Sequence, residues 1–175
     1  MKTSLHTACL TSLAALLAAC ASPPLPVAPN VPPSLQAPAG STLYLEVLAS
    51  GVQIYECSRK PDSTYEWAFK APEATLTARS GQLLGKHYAG PTWEALDGST
   101  TVGEVKARES APSPSAIPWL LLAAKSNSGS GTFANAKVVQ RVATVGGIAP
   151  TGGCTDATIK KEARVPYSAS YFFYR

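Results

Sequence analysis

The stretch Gly85-Lys86-His87-Tyr88-Ala89-Gly90-Pro91-Thr92-Trp93-Glu94, closed by Asp97, carries the densest chemistry in the chain. It places an imidazole, an indole and two carboxylates around a Gly-Pro bend. An imidazole that titrates near working pH can act as a general base with a carboxylate orienting it, so His87 with Glu94 would make a hydrolase centre. An exposed indole could instead stack on a sugar ring while Glu94 and Asp97 accept bonds from its hydroxyls. A glycosidase needs two carboxylates about 5–9.5 Å apart across a cleft, and Glu94 and Asp97 beside a tight turn are poorly placed for that. The same residues also fit a purely structural use, with Trp93 in a core, Glu94 in solvent, Asp97 in the turn and His87 held by one bond in a sheet. The structural use is favoured, because no nucleophile or ligand set accompanies the imidazole.

The inventory elsewhere narrows the chemistry further. Of two histidines, His6 lies in an apolar leader and only His87 remains beyond it. No His-Glu-x-x-His, Gly-x-Ser-x-Gly or Ser-x-x-Lys is present, and no His/Cys cluster has ligand spacing. No catalytic residue, metal site or cofactor is therefore assigned. Gly129-Ser130-Gly131-Thr132-Phe133-Ala134 matches Gly-x-Gly-x-x-Ala, but the strand-like Val138-Val139-Gln140-Arg141-Val142 follows it where a dinucleotide fold needs a helix. It reads as a hairpin loop. Val52 to Cys57 with Tyr65 to Phe69 looks like one repeat of a β-trefoil lectin, yet no second or third copy exists, and shared strand patterning explains it.

The N-terminus supplies an address. Met1-Lys2 and the Leu/Ala-rich run to Ala19 have the form of an export signal, too short to span a membrane. Leu17-Ala18-Ala19-Cys20 resembles a bacterial lipobox, which makes Cys20 the acylated first residue of the mature chain. Ala21 and Ser22 follow, with no aspartate, so a lipid-anchored place in the cell envelope is expected, at the outer membrane where the cell has one. Cys9 leaves with the signal, and Cys57 and Cys154 remain as an even pair in an oxidising compartment, which reads as a disulfide. Fourteen basic residues then face eleven acidic ones, a mild and scattered excess that points away from nucleic acid.

Residues 21–40 hold seven of the fifteen prolines, Pro23, Pro24, Pro26, Pro29, Pro32, Pro33 and Pro38. Such a segment is expected to run as an extended tether reaching up to roughly 60 Å at ~3.1 Å per residue, less whatever part lies against the domain. Residues 41–175 suffice for one core, and their apolar pattern has period two. Leu43, Leu45 and Val47 alternate, as do Tyr65, Trp67 and Phe69, and Tyr167, Ala169, Tyr171 and Phe173. Turn signals fall at Ser50-Gly51, Lys60-Pro61-Asp62, Ser80-Gly81, Asp97-Gly98, Ser128 to Gly131, Gly146-Gly147 and Gly152-Gly153. Asp97-Gly98 predicts a hairpin with arms Thr92–Leu96 and Ser99–Val105. The apolar run Ala116–Ala124 is assigned to a central strand. The whole predicts an all-β domain, an antiparallel sandwich or barrel of roughly eight to ten short strands.

Several strings, taken in order, resemble one family. They are Gly51-Val-Gln-Ile-Tyr-Glu-Cys57, Trp67-Ala-Phe-Lys-Ala-Pro-Glu-Ala74, His87 to Glu94, and Ile117-Pro-Trp-Leu-Leu-Leu122. Gln140-Arg-Val-Ala-Thr144 with Gly146-Gly147 and Pro150, then Cys154, and Val165-Pro-Tyr through Tyr171-Phe-Phe-Tyr174 complete the set. The chain is similar over about residues 31–175 to the family named domain of unknown function 3455, exported bacterial and fungal proteins with no assigned activity. The resemblance implies that both cysteines belong to the pattern. Its pattern places His87, Trp93, Trp119 and Arg141 here and supplies no mechanism; these four with Glu94 are taken as the candidate binding residues. The leading expectation is a non-enzymatic binding or interaction module held at the membrane by the Cys20 lipid, with an envelope polysaccharide or protein as partner. A carbohydrate-binding domain using Trp93 and a hydrolase centred on His87 are the alternatives.

Overall fold

The computed structural model describes residues 26–175. The export signal to Ala19, the lipid site Cys20 and the first tether prolines, Pro23 and Pro24, lie outside the described residues. Eight strands follow in order: β1 (Leu43–Arg59), β2 (Tyr65–Thr77), β3 (Leu83–Tyr88), β4 (Thr92–Ala95), β5 (Thr100–Glu109), β6 (Trp119–Ser128), β7 (Val138–Gly146) and β8 (Glu162–Tyr174). Each pairs antiparallel with its sequence neighbours, and β8 returns to β1 to close a barrel. Closure leaves no free sheet edge, and eight strands enclose an interior that side chains can fill or that can hold one small ligand. Of the two architectures the period-two pattern allows, the chain adopts the barrel.

Alternation fixes what points inward. Val47 and Ala49 of β1, Leu76 of β2, Trp93 of β4, Leu122 of β6, Val139 of β7 and Tyr171 and Phe173 of β8 form the interior core. The opposite faces carry ion pairs, among them Lys70 with Glu56 and Glu162, Lys86 with Glu94, Lys106 with Glu104 and Arg164 with Glu73. A membrane-spanning barrel would show an apolar band there.

The strands are less uniform than the sequence pattern predicts. β1 runs seventeen residues straight through Ser50-Gly51, which is not a turn. A Cβ on Gly51 would lie 2.1 Å from the Glu73 carbonyl oxygen, so the glycine is there to let β2 approach as the strand curves. Gly103 serves the core in the same way. A Cβ on it would meet the Trp93 ring at 2.9 Å and Leu122 at 3.1 Å, and its absence seats the indole. The Asp97-Gly98 hairpin is present between β4 and β5, and the Ala116–Ala124 run enters its strand at Trp119. Cys57 and Cys154 are bridged across 97 residues, tying the β7–β8 connection to β1.

The proline-rich segment is shorter as a spacer than its composition suggests. From Val31 onward it packs on the outside of the barrel, where Val31 and Ala37 meet Val138, Val142, Phe172 and Tyr174. Leu35, in a 3-10 turn at Pro33–Leu35, is fully buried, and Gln140 Nε2 donates to its carbonyl at 2.6 Å. Apolar outward residues on β7 and β8 need a cover, and this strap supplies it.

Candidate functional site

The two ends of the barrel differ. At one end the β6–β7 loop folds inward as a plug. Phe133 is fully buried and packs at a tilt against Phe173, with ring centroids 4.8 Å apart. The Phe133 amide donates to Ser99 Oγ at 3.0 Å, and Thr101 Oγ1 donates to the Phe133 carbonyl at 2.6 Å. Asp97 accepts from the amide and hydroxyl of both Ser99 and Thr132, which holds its carboxyl well below the usual range. The Gly129–Ala134 motif is thus a loop that seals a barrel.

The other end is open. A cavity of about 430 Å³ lies there, walled by Phe69, Pro72, Pro91, Val105, Ile117 and Leu120. Its polar members are Gln53 and Tyr55 of β1, Lys70 of β2, Arg108 of β5 and Arg141 of β7, and no carboxylate lines it. Register explains the two arginines. Arg108 pairs with Leu120 and Leu120 pairs with Arg141, so both guanidiniums share the inner face on either side of Leu120. Lys70 is answered outside by Glu56 and Glu162 at 3.0 and 2.8 Å. Neither arginine has an ion-pair partner among the described residues. Arg141 spends Nε and Nη2 on the Pro118 carbonyl, at 3.2 and 2.8 Å.

One unanswered polar group lines this cavity and two more lie in the core behind it. Gln53 is 2% exposed, yet its Nε2 has no partner, and the hydroxyls of Tyr167 and Tyr171 are buried in the same condition. Gln53, Tyr167, Tyr171 and Arg141 lie close enough to act on one another, Gln53 on the Tyr167 hydroxyl and Arg141 on that of Tyr171, but none of these contacts is a well-formed bond. Burial pushes the Tyr55, Tyr167 and Tyr171 hydroxyls up, so each stays protonated. Tyr55 donates to the Gly147 carbonyl and edges against Phe69 at 5.8 Å, forming one wall. Leaving a polar group buried and unpaired costs about 1–3 kcal/mol, so these groups weaken the fold where they sit.

The five candidates named from sequence do not form one site. His87 and Trp93 are inside, stacked at 4.6 Å, with Trp93 only 1% exposed. A sugar cannot stack on an indole packed between His87, Tyr171 and Phe173. His87 Nδ1 donates to the Thr92 carbonyl at 2.8 Å, and burial pushes the imidazole down to about 3, far from any working pH for a base. Glu94 is on the opposite face, bonded to Tyr88 and Lys86, because neighbours on a strand point to opposite sides. It does not orient His87. Trp119 packs outside under the strap, and Arg141 alone faces the cavity. Among the described residues no three His, Cys, Asp or Glu side chains gather as a metal site.

Residues 38–175 match the model of the family described as Protein of unknown function (DUF3455). The chain belongs to that family. The match spans the whole barrel and starts just beyond the strap, so cavity, plug and disulfide are all within the family domain. No curated protein and no solved structure matches the chain significantly.

Proposed function

We propose that this family domain is a non-enzymatic small-molecule-binding barrel, carried at the cell envelope by a lipid on Cys20. The observation that carries the reading is the open end, a ligand-sized cavity with apolar walls and the unpaired, buried Gln53 amide in its lining. Pockets for small molecules run about 300–1,000 Å³ with mostly apolar lining and a few fixed polar groups, and this one is at the compact end. The rigid plug at the far end and the closed sheet preorganise it. His87 supports structure rather than catalysis here, being neutral and shut away behind the indole.

The anchor and the strap suit display from a membrane. With Val31–Ala37 packed on the barrel, that part of the proline-rich stretch does not act as spacer. The lipobox and the residues after it favour the outer membrane. Labelled palmitate should enter the wild-type protein and be absent from Cys20→Ser, and equal labelling would end the lipoprotein reading. For the barrel, the purified protein should gain thermal stability with some members of a chemically mixed small-molecule set. Val105→Trp, which fills the rim, should abolish those gains while leaving the unliganded melt intact. Gains that persist in Val105→Trp would place binding elsewhere and overturn the proposal.

A further inference from the structure

We infer that the cavity takes a small carboxylic acid with an apolar body, its carboxylate seated on Gln53 and Arg141. This rests on the binding-barrel reading and names its ligand class. Two independent features point to the head group. The first is Gln53, 2% exposed and lining the cavity with an amide N–H₂ that donates to nothing. The second is Arg141, which lines the same cavity, has no carboxylate partner among the described residues and directs two donors at Pro118. Beyond those two donors and the neighbouring Tyr171 hydroxyl, its planar fork carries further N–H groups of the kind that match a carboxylate.

The uncommitted Gln53 N–H₂ and the Arg141 guanidinium are both donors, so the group that answers the two together must offer acceptors. A neutral acceptor would leave the guanidinium charge unanswered in a partly desolvated place, and a carboxylate answers charge and hydrogen bonds together. Arg108, across Leu120 from Arg141, adds attraction toward the mouth. The body of the ligand lies against Phe69, Pro72, Pro91, Val105 and Ile117, none of which offers a side-chain hydrogen bond. A cavity of about 430 Å³ suits a medium-length alkyl or single-ring acid better than a long-chain lipid.

Calorimetric titration of the purified protein with octanoate, 1-octanol and octyl phosphate tests this. Octanoate should bind at least tenfold more tightly than octanol and than octyl phosphate, and added salt should weaken it. Gln53→Leu and Arg141→Gln should each weaken octanoate at least tenfold and leave octanol unchanged. Arg141→Gln also loses the Pro118 tether, so its melting curve is measured alongside. The wild-type comparison and Gln53→Leu decide the question if that variant does not fold. Equal affinity for octanoate and octanol would overturn the carboxylate inference and leave the binding barrel standing. Preference for octyl phosphate would overturn the carboxylate in favour of a phosphate head. Binding of none of the three would overturn the inference, and an additional blank across the mixed set would remove the barrel reading with it.

Discussion

The plugged and open ends of the barrel are made from the same alternating strands and treat buried polarity in opposite ways. At the plug, Thr101, Ser99, Asn127 and Asp97 are all hydrogen-bonded, and an aromatic ring fills the space they frame. At the mouth, Gln53 is buried without a partner, with the Tyr167 and Tyr171 hydroxyls unpaired in the core behind it, beside a guanidinium that no carboxylate answers. Satisfied networks stabilise and specify, whereas unsatisfied ones cost stability and persist where something else uses them. The plugged end is built as a satisfied network and the open end is not, and the Cys57–Cys154 bridge ties the β7–β8 connection to β1.

The sharpest way to break that contrast is at the plug. Phe133→Ala empties a fully buried aromatic site and should cost about 3–5 kcal/mol in urea unfolding. A cost below about 1 kcal/mol would mean that the plugged end is not the stable one. The bridge comes next. Cys57→Ser should lose about 2–5 kcal/mol, the usual range for a native disulfide in a small exported domain. Reduction of the wild type should match it, and a smaller loss on both routes would show the mouth bracing itself without the bridge.

His87, between the two ends, sharpens the comparison through pH. The unfolded imidazole binds a proton below its ordinary 6.5, while burial holds the folded one neutral down to about 3. The folded pKa is depressed, so this contribution to stability is complete above about pH 6.5 and is lost as pH falls toward 3. Between pH 7 and pH 5 the loss should be about 2 kcal/mol, at 1.36 kcal/mol per unit. His87→Gln should flatten that part of the urea-midpoint profile, at a cost near neutrality of about 0.5–1.5 kcal/mol for the bond to Thr92. The acid response of Asp97 is common to both proteins and cancels in the difference. Parallel profiles would mean that the imidazole is already protonated in the folded state.

The smallest effect is expected at the mouth. Gln53→Leu removes an amide with an unpaired donor, so stability should change by less than about 1 kcal/mol, or rise, in the same urea assay. A loss above about 2 kcal/mol would show that Gln53 is a structural member after all, and would erase the difference between the two ends.

Much of this architecture could be read directly from residue order. Period-two alternation in Leu43–Val47 and Tyr167–Phe173 with turn chemistry at Asp97-Gly98 predicted antiparallel β structure, and the cysteine count predicted the bridge. These signals are local, since a strand's facing and a tight turn depend on residues a few positions apart. Gln53 was legible in principle as the polar member of the inward series Leu45, Val47, Ala49, Gly51, Gln53, but nothing along the chain says that its partner is missing. Gly51 looked like a turn because glycine signals both a turn and a close approach, and only the neighbouring Glu73 carbonyl distinguishes them. His87 and Glu94 looked like a pair because they are seven residues apart across a hairpin, yet β3 and β4 turn them to opposite faces. Barrel over sandwich, plug over open loop, and the meeting of Arg108, Gln53 and Arg141 were decided by closure. Sheet closure joins residues nearly ninety positions apart, and no local pattern encodes which of them will face the same empty space.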